Sequence, residues 1–185
     1  VDGAEIKLVY GKPRFNFDNG RLVNADGIVR GIDGNIDFNS FFKLLEESKF
    51  GLSVGGSFMS KYQNSFNPLY NLPKNVGIYG GRIDATYGNF NLGIEHVIKE
   101  QDPSFDNNYI FNYGHGTFVT AGYSQKGLGI ILSAKSIDNM SYRADPDAIL
   151  TDVNLNFLPA LTKAHTYNLA ATLYPYATQP QGEVA

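Results

Sequence analysis

Residues 117–137 carry the pattern that most constrains the fold of this chain, two alternating segments joined at Lys126-Gly127. A two-residue turn there fixes the register of an antiparallel hairpin. One face of that hairpin is wholly apolar, with the pairs Tyr123–Ile130, Ala121–Leu132 and Val119–Ala134. The other face pairs Thr120 with Ser133 and Phe118 with Lys135. Each segment has about ten residues, the length of a tilted β-strand that crosses a bilayer.

A second hairpin is predicted over residues 76–98, around Gly88-Asn89. Its register places apolar residues opposite one another in the pairs Tyr87–Phe90, Ala85–Leu92, Ile83–Ile94 and Tyr79–Ile98. On the other face it sets Thr86 against Asn91 and Arg82 against Glu95, with Asp84 beside them. One assumption about the turn therefore sorts apolar with apolar and pairs opposite charges, and a shift by one residue would destroy both.

The rest of the chain repeats the strand pattern. Alternating segments are predicted near residues 28–38, 52–62, 153–157 and 167–173. Residues 39–49 predict the one short helix, capped by Asn39 or Ser40. Residues 1–27 are predicted either as a short N-terminal hairpin or as a segment outside the main sheet. With eight strands between residues 28 and 174 and one or two before them, we expect 8–10 strands.

The connections between these strands alternate in length. From residue 28 onward, compact turns at 39–50, 88–89, 126–127 and 159–165 alternate with long loops at 63–75, 99–116 and 138–150. In an up-and-down meander, alternate connections lie at the same end of the sheet. Outer-membrane barrels have this asymmetry, with short periplasmic turns and long outer loops. The sequence therefore predicts an all-β, antiparallel up-and-down meander that forms a transmembrane β-barrel or a large part of one, as a single domain over residues 1–185.

The composition is compatible with that interpretation and narrows the other classes. Only 18% of the residues are charged and the formal net charge is -3, which indicates neither nucleic acid nor an anionic membrane surface as a partner. The chain has no cysteine, which excludes disulfides, thiolate catalysis and cysteine-based zinc sites. No run of about 18 apolar residues predicts a transmembrane helix. The chain starts at Val1, so we expect either a processed protein or an internal piece.

Four stretches of the chain resemble a known family. They are GGSFMSKYQ (55–63), YNLPKNVGIYGGRI (70–83), YSQKGLGIILSAKSIDNMSYR (123–143) and LNFLPALTKAHTYNLAATLYPYATQPQGE (155–183). The chain is similar through them to an uncharacterised family of Bacteroidota outer-membrane β-barrel proteins, a domain of unknown function. The resemblance implies an outer-membrane location and a partial barrel that continues beyond Ala185, and it implies no chemistry for any residue. The ending Glu183-Val184-Ala185 differs from the aromatic-terminated last strand usual in such barrels.

Charged residues of the predicted strands fall on the polar face. They are Asp33, Asp37, Lys61, Arg82, Asp84, Glu95 and Lys135. If that face lines a lumen, these seven set its electrostatics and tune its selectivity. The alternative is a self-satisfied polar interior with Arg82–Glu95 as a structural pair. Aromatic residues near strand ends and in the long loops, Tyr70, Tyr109 and Tyr142 among them, predict an interfacial girdle, with a platform for sugar or a partner protein as the alternative.

No catalytic residue, cofactor or metal site is predicted. His96, His115 and His165 are far apart and lack metal-ligand spacing. No G-x-S-x-G motif is present for serine hydrolysis. Two acidic groups, Asp145 with Asp147 and Asp18 with Asn19 and Asp26, do not match a calcium loop, so solvated turn residues are the better interpretation.

Three functions are considered, and the first two differ in whether the apolar face of the sheet points outward or inward. The first is a bacterial outer-membrane β-barrel, acting as a porin-like passive conduit or as the barrel subunit of a surface complex, with outer-membrane lipid and other surface proteins as partners. The second is a soluble, lipocalin-like barrel that binds a hydrophobic ligand. The third is a barrel enzyme, for which the sequence shows no site. In the first, lipid contacts Ile83, Ile94, Ala121, Leu132, Leu155 and Leu169.

Overall fold

The computed structural model describes residues 3–13, 23–42, 49–64, 67–148, 153, 155 and 183–184. Its strands are β1 (Ala4–Gly11), β2 (Ile28–Asp37), β3 (Phe50–Tyr62), β4 (Asn75–Tyr87), β5 (Phe90–Lys99), β6 (Gly114–Gln125), β7 (Leu128–Asp138) and the two-residue β8 (Glu183–Val184). Helix α1 spans Phe38–Phe42, and a 3₁₀ turn spans Phe105–Asn107. The strands follow one another in sequence order in one antiparallel sheet. The predicted all-β meander is therefore confirmed, and the described part of the sheet does not close on itself.

The registers of the two hairpins are confirmed. Ile83 lies opposite Ile94 and Arg82 opposite Glu95 in the first hairpin, and Ala121 lies opposite Leu132 in the second. Both turns are two residues long. Gly88 has a φ of 57° and Gly127 a φ of 83°, values that a residue without a Cβ adopts at little cost. These turns set the register, and the register sorts the side chains between the two faces.

The two faces of the sheet differ sharply in composition. The apolar face includes one row across all seven long strands, made of Ala4, Ile36, Val54, Ile83, Ile94, Val119 and Ala134. The polar face includes the next row, made of Glu5, Asn35, Gly55, Arg82, Glu95, Phe118 and Lys135. Strand alternation puts neighbouring residues on opposite faces, so residues two positions apart along a strand share a face.

The short connection between β2 and β3 differs from the prediction in its cap. The helix begins at Phe38, and the Asp37 carboxylate accepts a hydrogen bond of 3.0 Å from the Ser40 amide, as an N-cap residue does. Asn39 instead bonds strand β3, donating to the Phe50 carbonyl at 2.9 Å. Residues 43–48, the rest of the predicted helix, lie outside the described residues.

The first strand belongs to the main sheet. Strand β1 pairs with β2 over its whole length, from Ala4 opposite Ile36 to Gly11 opposite Val29. Residues 4–11 are therefore one of the strands expected before residue 28, and the alternative of a segment outside the main sheet is wrong for them. The turn predicted near Asp18 lies outside the described residues.

The buried core lies at the long-loop end of the polar face. Its residues are Val76, Ile78, Val97 and Ile137 from the strands and Met140 and Tyr142 from the loop after β7, all at most 4% exposed. A smaller cluster of Ala25, Ala144 and Val153 adjoins the same loop region. Connections 12–27, 63–74, 100–113 and the chain after Asp138 all start at this end of the sheet, as the predicted alternation of loop lengths requires.

The segment after β7 departs from the sequence prediction. Residues 153 and 155 bond the loop backbone rather than a barrel strand, since Ala144 N donates to the Val153 carbonyl and Leu155 N donates to the Tyr142 carbonyl. Leu155 packs against the buried core, so its predicted contact with lipid is wrong. The predicted strand at 167–173, with Leu169, lies outside the described residues.

Candidate functional site

The apolar face is exposed over most of its area. Ile83 is 48% exposed, Ile94 39% and Leu132 67%, although each sits in the middle of a strand. Among the strand residues on this face, Arg30 and Asp138 are the two that carry a formal charge, and both lie toward the long-loop end. Arg30 donates to Ser60 and Asn75 there, so its charged group has polar partners at the strand ends. A bare aliphatic surface of this extent marks a site of contact with lipid or with another protein.

Aromatic rings border this aliphatic surface at both ends. At the short-turn end, Phe50, Tyr87, Phe90 and Tyr123 occupy one row across β3 to β6. The rings of Phe90 and Tyr123 lie 4.7 Å apart. At the long-loop end, Phe58 and Tyr79 occupy neighbouring positions. Eight residues separate Tyr79 from Tyr87, or about 26 Å along a strand at about 3.3 Å per residue. At a tilt of about 40° this gives about 20 Å along the membrane normal, close to the apolar band of a transmembrane barrel.

The middle of the polar face is organised by Arg82. Its guanidinium binds both carboxylate oxygens of Asp33, at 2.7 and 3.1 Å, and also donates to Ser57 and to the Gly34 carbonyl. Arg82 is on β4 and Asp33 on β2, so the side chain crosses β3 between them. It does so over Gly55, where a Cβ would lie 2.4 Å from Arg82 Nε. The two-oxygen contact is the strong form of an arginine–carboxylate pair.

The seven predicted lumen residues do not share one environment. Asp33 and Arg82 form the ion pair just described, while Glu95 lies opposite Arg82 in register and Asp84 lies opposite Gly93. Lys135 lies opposite Phe118 on β6, on the same face. Asp37 caps the helix, as described above, and Lys61 is fully buried at the loop end. The expected Arg82–Glu95 ion pair is replaced by Arg82–Asp33, because Arg82 reaches across two strands instead of one.

The loops at the long-loop end fold back over the polar face. We name residues 100–113 and 139–148, which do this, the loop cap. Lys61 forms an ion pair of 2.7 Å with Asp102 of the loop cap, and both side chains are at most 1% exposed. The Lys61 ammonium also donates to the Arg143 carbonyl, and that of Lys99 donates to the Ser141 carbonyl at 2.6 Å. Two strand lysines thus bond to loop groups with little access to water.

Tyr142 extends this contact to the next strand. Its hydroxyl donates to the Val76 carbonyl at 2.9 Å, and the Lys61 ammonium lies 4.9 Å from the centre of its ring. Burial raises the pKa of the Tyr142 phenol far above its usual range, so the hydroxyl remains a donor. Tyr142 is 1% exposed, which corrects its expected place in an interfacial girdle.

The loop cap is braced by polar contacts within itself. Arg143 forms an ion pair of 2.5 Å with Asp106, whose carboxylate also accepts from the Ser141 hydroxyl. Asn107 donates to the Asn139 side chain at 3.0 Å. These bonds join the first loop segment to the second, and the two segments cover the long-loop end of the polar face as one unit.

Tyr109 links the loop cap to the loop before β4. Its hydroxyl donates to the Asp147 carboxylate at 2.5 Å, and its ring stacks on that of Tyr70 with centres 4.6 Å apart. The hydrogen bond to the Asp147 carboxylate raises the pKa of Tyr109 to about 12. Three of the long connections are therefore in contact with one another at this end of the sheet.

No metal or helical membrane site is visible in the part of the chain that the structure describes. No group of three or more His, Asp or Glu side chains is close enough there to hold a metal ion. His96 and His115 lie 6.2 Å apart between ring centres, and His96 bonds the Thr117 hydroxyl at 2.8 Å. None of the described helices is long and apolar enough to span a membrane.

Sequence reasoning identified the apolar face but missed the loop cap. Lys99 and Asp102 were not singled out, because each lies at the start of what the sequence shows as a polar loop. One signal was available. Val76, Ile78 and Val97 put apolar side chains on the polar face at its loop end, where alternation alone predicts polar ones.

Comparison with known proteins gives a family and no function. The sequence profile of a family of unknown function (DUF6029) matches residues 1–185, so the chain belongs to that family. No curated protein matches the chain, and no solved structure does.

Proposed function

We propose that this member of the DUF6029 family is a bacterial outer-membrane β-barrel protein, of the Bacteroidota as the resemblance above indicates. Its described strands would form part of the barrel wall, with outer-membrane lipid against the apolar face. The observation that carries the proposal is the distribution of charge across the sheet. An aliphatic band with aromatic rings at both ends is exposed, while Asp33, Arg82, Glu95 and Lys135 are confined to the opposite face. A transmembrane barrel has this alternation of lipid-facing apolar and inward-facing polar residues.

The side on which the loops fold favours the membrane over a soluble, lipocalin-like barrel. A ligand-binding barrel in water would turn its aliphatic side chains inward and its charges outward. Here the loop cap covers the long-loop end of the polar face, and Lys61 and Lys99 are buried beneath it. The described loops therefore cover the long-loop end of the polar face, while Ile83, Ile94 and Leu132 of the aliphatic face are exposed.

A sheet in lipid must have no open edge, because unpaired backbone groups have no water to bond there. In the described residues, β1 pairs along one side only, and β7 pairs with β8 only at Ser136 and Ile137. The proposal therefore requires further strands that join β7 to β1. The two-residue β8 pairs with β7 at the long-loop end, where a meander would place the start of the next strand.

The role we propose is passive, either a porin-like conduit or the barrel subunit of a surface complex. The polar face has Asp33, Arg82, Asp84 and Glu95 near mid-depth, as a water-filled interior would. Other outer-membrane or surface proteins are the proposed partners for the exposed loops. Their exposed apolar residues include Leu69, Phe105, Ile110 and Tyr113.

Fractionation and gel mobility test the proposal directly. The full chain, expressed in a Gram-negative host, should extract from the outer membrane only with detergent. Unheated, it should migrate differently on a gel from the boiled sample, since a closed barrel resists unfolding by the gel detergent. Free solubility as a monomer without detergent would overturn the proposal. Conductance across a planar bilayer would then separate a conduit from a structural barrel.

A further inference from the structure

The loop cap covers an apolar patch at the long-loop end of the polar face. Val76, Ile78 and Val97 are at most 1% exposed. On the apolar face of the same two strands, Tyr79 and Ile94 are exposed. Met140 and Tyr142 of the loop cap pack on them. Burial of this apolar patch holds the loop cap on the sheet through the hydrophobic effect. The middle of the polar face, around Arg82 and Glu95, has charged side chains and offers no such contact.

Charged contacts add a specific attachment at the same place. The Lys61–Asp102 ion pair joins β3 to the loop after β5, and Lys99 bonds the loop after β7. A buried ion pair is weak as a source of net stability, but removing one partner is costly because it leaves a buried charge unpaired. The closed position of the loop cap is therefore sensitive to either member of the pair.

We propose that the loop cap is a closure of the barrel interior at its long-loop end, held shut by the Lys61–Asp102 pair. The inference rests on the proposed function, because it needs the polar face to be the interior. It follows from the position of the loop cap, which sits on that face instead of extending away from the strand ends. The long-loop end of the interior is filled by the chain's own loops, with contacts between residues as distant in sequence as Lys61 and Arg143. The barrel is then closed at rest, and passage requires the loop cap to move.

Thiol accessibility tests the closure, since the chain has no native cysteine. A Val76→Cys variant places a thiol on the polar face beneath the loop cap, and a Ser57→Cys variant places one on the same face outside it. In the folded, detergent-solubilised full chain, a polar maleimide should label position 76 at least about tenfold more slowly than position 57. Adding Asp102→Asn should speed labelling at position 76 by about tenfold or more, because the Lys61 charge then loses its partner.

Two further variants control for folding and for chemistry. Asp138→Asn makes the same substitution at the same end of the sheet on the opposite, apolar face, and should leave labelling at position 76 unchanged. Tyr142→Phe removes only the hydrogen bond to Val76 and should speed labelling by a smaller factor, even if Asp102→Asn fails to fold. In a bilayer, Asp102→Asn should conduct more often than the unmodified protein.

Each outcome decides between the two proposals. Equal labelling at positions 57 and 76 in the unmodified protein would overturn the closure. So would slow labelling at position 76 in folded variants carrying Asp102→Asn or Tyr142→Phe. A protein that is soluble without detergent but still protects position 76 would overturn the membrane assignment, leaving the loop cap as a cover over a different interior.

Discussion

At the scale of single residues, Arg82 depends on a neighbour that makes no bond with it. The side chain reaches Asp33 by lying over Gly55, and any Cβ at that position would occupy the space of the guanidinium. The same relation recurs on this face, where Asn91 lies over Gly122 and Thr86 over Gly51. These three glycines are needed because they lack a Cβ, which leaves space for the neighbouring side chain. None of them has a backbone φ that requires glycine.

Gly55→Ala should displace Arg82 from Asp33 and lower the free energy of unfolding by about 1–3 kcal/mol, the usual cost of overpacking. Gly56→Ala is the matched control, because a Cβ there meets nothing closer than the Gly80 carbonyl oxygen at 3.7 Å. Urea unfolding of the two variants in detergent measures the difference. The same midpoint for both would show that Arg82 finds an equally good position without the space above Gly55.

Tyr109 gives the loops a dependence on alkaline pH. Its pKa of about 12 in the folded protein is above the value of about 10 expected for an unfolded chain, so folding favours the protonated phenol. The stabilisation from the Tyr109–Asp147 contact is complete below pH of about 10 and disappears as the pH rises through about 12. The urea midpoint should therefore fall more steeply with pH in this window for the unmodified protein than for Tyr109→Phe. Tyr113→Phe serves as a control, because the Tyr113 phenol bonds no residue within the described ranges, and it should keep the steep fall.

At the scale of elements, the two tight turns explain why the hairpins could be predicted. A two-residue connection leaves one register, and in that register residues 76–98 and 117–137 sort their side chains correctly on both faces. The helix cap was missed because Asp37 was assigned to the strand pattern before it. The Arg82–Asp33 pair was missed because sequence pairing considers adjacent strands, and Asp33 is two strands away. The loop cap was missed because its contacts join residues up to 82 positions apart, for which no local pattern exists.

The turn at Lys126-Gly127 should be sensitive to a side chain at its second residue. Gly127 has a φ of 83°, where an L-residue is strained, although its Cβ would meet no atom within 4 Å. Gly127→Ala should therefore cost about 1 kcal/mol through the backbone alone. Gly129→Ala, also free of close contacts but with an ordinary φ, should be neutral or slightly stabilising. Thermal or urea unfolding of both variants measures this, and equal stability would contradict the assigned turn conformation.

At the scale of the whole molecule, the surroundings of the apolar face decide the function. The face could be read from sequence as one continuous surface, because alternation along each strand and register between strands are both local rules. The sequence could not predict what covers this face, because contact with lipid and contact with a packed interior both favour aliphatic residues. Within the described residues, Ile83, Ile94 and Leu132 are exposed and are not packed in a core.

Ile83→Arg distinguishes lipid from water at that face. In water, a substitution at a residue that is 48% exposed should change the free energy of unfolding by no more than about 0.5 kcal/mol. In a bilayer, an arginine near mid-depth of the outer surface should cost about 2–4 kcal/mol. Ser133→Arg on the polar face is the control and should cost little in either case. Refolding into lipid vesicles under denaturant titration measures both, and a negligible effect of Ile83→Arg there would place the face in water.

The glycines under Arg82, Asn91 and Thr86 have a geometric consequence for any tube built from these strands. Large inward residues that lie flat along the wall take up little radius, whereas upright ones would meet across the axis. If the polar face is the inside of such a tube, its free bore would be wider than its count of bulky residues implies, at mid-depth beside Arg82 and near the short turns beside Asn91. The narrowest point would be set at the rim, by backbone that folds in from outside the wall.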